Sequence, residues 1–166
     1  MCPPPNIHFS CHPGRTTSHS LNYITTFVKN AWRKKELVSA LLLNIKGTFP
    51  NVVLSCLIHG MRTQGVPSQY TSWIACKVSS QQMTLKFDGY ELESSTMTKG
   101  IDQGFPLLGI AYQFYNAGLV DIHNTDSRED TVAFMDDMLL LAWAKMLMES
   151  NNKVKQMMVR CGSGLD

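Results

Sequence analysis

Asp136 and Asp137 stand side by side in the stretch VAFMDDMLLLA, residues 132–142, whose other members are all apolar. Two adjacent carboxylates in such a run are costly unless they are solvated, paired or bound to a cation. A polar hairpin tip is one explanation, because Asp is good turn chemistry. The run, however, holds neither the Gly nor the Asn that tight hairpin tips favour. A divalent-metal site is the other explanation. Hard cations such as Mg²⁺ take carboxylate oxygens, and the ion neutralises charges that would otherwise repel. A third acid from a different strand would complete such a site.

The remaining chemistry-bearing side chains form no comparable cluster. Cys2, Cys11, Cys56, Cys76 and Cys161 are odd in number and scattered, with no C-x-x-C pair. That pattern reads as free thiols in a reducing compartment. His8, Cys11, His12 and His19 lie near one another, but their spacing matches no familiar zinc pattern. The formal net charge of +2 is only mildly basic and does not alone announce a nucleic-acid binder.

The 166 residues suit one domain with a sizeable core, and 44% hydrophobic content is near the globular norm. The charged fraction of 17% falls below the usual quarter, as expected of a piece of a larger assembly or a decayed gene. No apolar run approaches the roughly 20 residues that span a bilayer. The opening MCPPPNIHFS lacks the basic and apolar regions of a signal peptide. The expected location is nuclear or cytoplasmic, neither secreted nor membrane-bound.

Elements that would position the aspartates follow from periodicity. Thr16 or Thr17 can cap a helix carrying Leu21, Ile24, Phe27, Val28 and Ala31 on one face. It ends in Arg33-Lys34-Lys35, where cations suit the helix C-terminus; a phosphate-facing role is the alternative. The run ELVSALLLNIKGTFP (36–50) reads as a buried strand closed by Gly47 and Pro50. Asn51 can cap a following helix that stops near Gly65 and Pro67, and another helix is expected over 68–79. QMTLKFDGYELESS reads as a hairpin turning on Asp88-Gly89. An apolar helix over about 107–120 follows, then two short strands flanking Asp136-Asp137, then a helix over about 145–159. The order predicts an α+β fold, a small antiparallel sheet with helices packed on one face.

Three segments, in order, resemble the palm motifs of reverse transcriptases, most closely those of non-LTR (LINE-like) retrotransposons of fungal type. LLLNIKGTFPNV is similar to the first motif, usually L-D-I-K-G-A-F-P-N-V. GIDQGFPLLGI is similar to the second, usually Q-G-C-P-L-S, and FMDD to the third, F-x-D-D. HPGRTT resembles the segment that precedes the palm. The likeness runs from about residue 8 to residue 165. It implies a palm-like sheet with fingers and thumb largely missing, residues 1–15 being a tail and fingers remnant and 16–166 a partial palm.

The resemblance also implies roles. Asp136 would bind catalytic Mg²⁺ (or Mn²⁺), with Asp137 supporting it and the backbone carbonyl of Ile45 completing the set. Phe49 would lie under the incoming nucleotide's sugar. Gln103 and Gly104 would lie along nucleotide and template, and Arg15 would hold phosphates. Partners would be an RNA/DNA primer-template and dNTPs, and the reaction two-metal nucleotidyl transfer.

The sequence departs from the family where the chemistry is most sensitive. Residue 44 is Asn where the first motif carries its metal-binding Asp. Replacing that carboxylate by a neutral amide costs several kcal/mol of transition-state stabilisation, on the order of a thousandfold in rate. Phe105 and Leu108 also enlarge positions that the family keeps small. The expectation is a catalytically inactive reverse-transcriptase fragment. The alternative is a non-enzymatic module binding nucleic acid or protein, motivated by the basic segment Lys29–Lys35.

Overall fold

The computed structural model describes residues 8–11, 13–79, 81–96, 99–101, 106–124 and 127–163. In chain order its elements are α1 (Thr17–Arg33), β1 (Leu37–Asn44), α2 (Leu54–Thr63) and α3 (Ser68–Ser79). Four two-residue strands follow: β2 (Gln82–Met83), β3 (Lys86–Phe87), β4 (Tyr90–Glu91) and β5 (Ser95–Thr96). The chain ends with α4 (Pro106–Val120), β6 (Glu129–Phe134), β7 (Asp137–Ala144) and α5 (Leu147–Ser163). It divides into two units, one over Gly47–Tyr115 and the other from the residues through Lys46 together with those from Asn116 onward.

The Gly47–Tyr115 unit is built on helices. Leu57, Ile58 and Met61 from α2 meet Ile74 and Val78 from α3 and Leu108, Ala111 and Tyr112 from α4 in one core. Gly60 lets α2 approach α4 backbone to backbone, since a Cβ there would sit 2.8 Å from the Phe114 carbonyl oxygen. The hairpin forms as its turn chemistry dictates. Asp88 and Gly89 both take positive φ, and β3 pairs with β4 across them. Asn51 does not cap α2. Val53 occupies that position without a side-chain bond, while the Asn51 N–H closes the preceding turn onto the Gly47 carbonyl.

The second unit holds an antiparallel sheet in the order β1-β7-β6. Residues 8–9 extend it, with His8 bridging Ala133 in parallel and the Phe9 N–H donating to the Ala133 carbonyl at 2.9 Å. Alternation along the strands divides two cores. Met138 and Leu140 of β7 face Met157 and Cys161 of α5, together with Leu41 and Leu43 of β1. Leu139 and Leu141, pointing the other way, meet Phe9, Val132, Val38 and the α1 residues Ile24 and Phe27. The α+β palm-like sheet therefore stands, but helices cover both of its faces: α5 one, α1 the other.

Helix α1 forms because both ends are closed. Thr16 and His19 make a reciprocal capping box. At the other end, the Lys35 N–H donates to the Trp32 carbonyl and the Glu36 N–H to the Ala31 carbonyl, a Schellman closure. Lys35 takes φ +57 there, in the left-handed region where Gly is normally found, at a cost of about 1 kcal/mol.

Charges inside this unit are paired. Glu36 binds Arg128, and Glu129 binds Arg160. The Tyr23 hydroxyl donates to Asp130 Oδ2 at 2.5 Å, and the Thr131 N–H donates to Asp130 Oδ1 at 2.8 Å. Burial, then the hydrogen bond to Asp130 and its negative charge, push the Tyr23 phenol well above its ordinary value.

A folded-state pKa raised above the unfolded one gives stability that is complete below pH ~10 and is lost as pH rises beyond it. Tyr23→Phe should cost about 1 kcal/mol near pH 8, since Tyr23 is partly exposed, and should flatten the fall of Tm above pH 10. Thermal melts of both proteins from pH 8 to 12 check this. Parallel Tm curves would refute it.

Candidate active site on the β6–β7 hairpin

Register decides where the two aspartates point. Phe134 pairs with Asp137, so the turn consists of Met135 and Asp136 alone. Sequence reading placed both acids between the strands; in fact Asp137 is the first residue of β7. The reason is that a two-residue connection is the favoured closure for antiparallel strands. Met135, the first turn residue, takes φ +56, a region that Met seldom adopts. Strain of this kind persists only where neighbours hold it.

Ser10 is one such neighbour. Its hydroxyl oxygen accepts the Met135 N–H at 3.1 Å and lies 3.0 Å from His8 Nδ1. Arg15 fixes the same segment from the other side. Its guanidinium donates to the His8 carbonyl at 2.8 Å and lies over the Phe9 ring. Ser10 carried no sequence signal, because a Ser in a loop resembles any other.

The first-motif strand meets this turn directly. β1 and β7 pair over eight residues, ending with Asn44 opposite Asp137. The Ile45 N–H then donates to the Asp136 carbonyl at 3.4 Å. Directly opposed residues in such a ladder have Cβ atoms about 5 Å apart on one face. Asn44 and Asp137 are both exposed and open onto a cavity of about 360 Å³, whose other walls include Ser20, Ile24, Leu42 and Phe134. The cavity is lined by the Asp137 carboxylate and the neutral Asn44 amide, while Asp136 meets β1 through its backbone carbonyl. Among the described residues, no three His, Cys, Asp or Glu side chains converge.

The sequence matches the reverse transcriptase (RNA-dependent DNA polymerase) family over residues 5–163. The chain belongs to that family. It is also similar to the retrovirus-related Pol polyprotein from type-1 retrotransposable element R2 of Bradysia coprophila, 27% identical over 141 residues. That match covers 80% of this chain and only 16% of the relative's length. Among solved structures, truncated apo telomerase from Candida tropicalis shares the fold, with a TM-score of 0.61 and 16% identity, over 86% of this chain and 31% of that one.

This reverse-transcriptase chain thus brings Asn44, Ile45, Asp136 and Asp137 together, with Arg15 bound to the same sheet's edge. Phe49 belongs to the Gly47–Tyr115 unit, where its ring lies 5.5 Å from that of Tyr112 and its carbonyl accepts the Ile101 N–H. Leu108 is fully buried in that unit's core. Gln103, Gly104 and Phe105 lie outside the described residues. His8 and His19, once conceivable as metal ligands, bond to Ser10 and Thr16.

If Ser10 holds the strained turn, Ser10→Ala should cost about 1–2 kcal/mol and speed hydrogen exchange at the Met135 amide. Exchange measured by NMR at that amide, unchanged in the variant, would count against the role given to Ser10.

Proposed function

We propose that this chain is a piece of a retrotransposon reverse transcriptase, non-LTR and of fungal type by its motif wording, that no longer polymerises. Residues 1–15 would be the fingers remnant and 16–166 the partial palm. The observation that carries this reading is the pairing of Asn44 with Asp137. The position facing the surviving acids supplies an amide where a second carboxylate wall is needed.

In the parent activity, primer-template and dNTP would meet over this hairpin, with Arg15 toward phosphates, Phe49 toward the nucleotide sugar, and Gln103 and Gly104 along the template. A divalent pair, when bound, lowers the pKa of the attacking 3′-hydroxyl and neutralises the leaving pyrophosphate. The residues present suit less than that. Asp136 and Asp137, with the Ile45 carbonyl and the Asn44 amide oxygen, offer two negative charges, enough for one hard cation held weakly and too few for two. Asp137 is exposed at the cavity. The paired strands hold both acids in place whether or not a cation is bound.

Mn²⁺ titration followed by EPR should show one weak site that Asp136→Ala abolishes. Asn44→Asp should tighten that site at least tenfold, about 1.4 kcal/mol, by restoring a carboxylate opposite Asp137. Identical binding by all three proteins would reduce the acid pair to a turn. Primer extension with Mg²⁺ or Mn²⁺ is expected to be undetectable, and robust extension by the unaltered chain would overturn the inactive reading.

A further inference from the structure

We infer that the C-terminal end of α1 is a binding site for single-stranded nucleic acid, separate from the acid pair. Lys29, Trp32 and Arg33 occupy i, i+3 and i+4 and so share one helix face. Lys34 and Lys35 continue it beyond the cap. All five side chains are exposed, Trp32 by 64%. The opposite face of the helix is the one that packs, through Ile24, Phe27 and Ala31.

Charge selects the partner. Glu36 is the only acid in the first 87 residues, against nine Lys and Arg. It is buried and already bound to Arg128, so it does not neutralise the patch. Among the described residues Lys29, Lys34 and Lys35 make no ion pair, and the Arg33 side chain bonds to that of Asn30. A cap effect would account for one or two cations at this helix end. It does not account for a solvent-exposed indole among them. An aromatic face flanked by cations is the arrangement that stacks bases and tracks a phosphate backbone.

Lys35 points the same way independently. The Schellman closure puts it at φ +57, where Gly relieves the strain, yet the position carries a long cation. A long cation at a position that favours Gly is an outlier whose side chain can be tested for a role.

The site is removed from the acids along the sheet. Phe27 packs edge-on against Trp143, with ring centroids 4.6 Å apart. Trp143 lies six residues along β7 from Asp137, about 20 Å at strand rise. A strand bound at α1 therefore needs no metal at the hairpin, and the inference does not rest on the reading proposed above.

The test is fluorescence anisotropy of a labelled 20-nucleotide oligo(U) with the whole chain in EDTA, across a salt series. The unaltered protein should bind with a log–log salt slope near −3, as four neutralised phosphates predict for single strands. Trp32→Ala should weaken binding about tenfold or more, and Trp32→Phe should retain most of it. Lys35→Gly should raise Tm yet lower the slope by about 0.7.

Three results would overturn the site. One is Lys35→Gly raising Tm with affinity and slope unchanged. Another is Trp32→Ala binding undiminished while its circular dichroism matches the parent. The third is a salt slope near zero for the unaltered chain, which would leave the basic face with no phosphate role. Equal affinity for a duplex of the same length would likewise remove the stacking role given to Trp32.

Discussion

Eight consecutive pairs between β1 and β7 set the position of everything that could react in this protein. Side chains alternate along a strand, so a slip of one residue would exchange the two faces of the sheet. Leu41 and Leu43 would leave the α5 core, and Asn44 would no longer oppose Asp137. The apolar demands of both cores hold the register. The site therefore inherits its geometry from packing, and the charge state of residue 44 has little power to disturb it.

That separation lets the palm-like hairpin stand whatever the charge of the residue facing Asp137. Leu140 and Leu141 are fully buried on opposite faces of β7, each contributing about 1.5–3 kcal/mol of burial. Neither contact asks for a metal. The buried charges are also independent of the site: Glu36 and Glu129 are bound by arginines, and Asp130 by Tyr23 and its own backbone. Removing the arginine from either glutamate pair strands a buried charge, at about 3–5 kcal/mol. A neutral side chain at the exposed position 44 strands no charge.

Five described non-glycine residues take positive φ, among them Met135 at the hairpin and Lys35 behind α1. These two are held by backbone hydrogen bonds, one to Ser10 and the other within the helix closure. In the first case the fold needs a two-residue turn. In the second the turn would form as well or better with Gly.

Most of the element plan was legible in the residues. The capped, amphipathic 17–33 segment, the helix over 68–79 and the Asp88-Gly89 hairpin all follow from local chemistry, and local chemistry is enough to form them. The three palm motifs carried the family, because side-chain identity at fixed spacing is what a motif preserves. The sequence also determined that position 44 is neutral. What it did not carry were the long-range pairings. Asn51 looked like a helix cap but served the preceding turn, and Ser10 gave no sign of its bond to Met135, 125 residues away. Helices on both sheet faces were likewise invisible, since the periodicity of α1 shows that it has an apolar face and not which surface covers it. Sequence alone named Asp136, Asp137 and Asn44. Only the tertiary structure set Asn44 opposite Asp137 and put Asp136 in the turn, because strand register is fixed by the summed packing of both cores and not by any residue at the site.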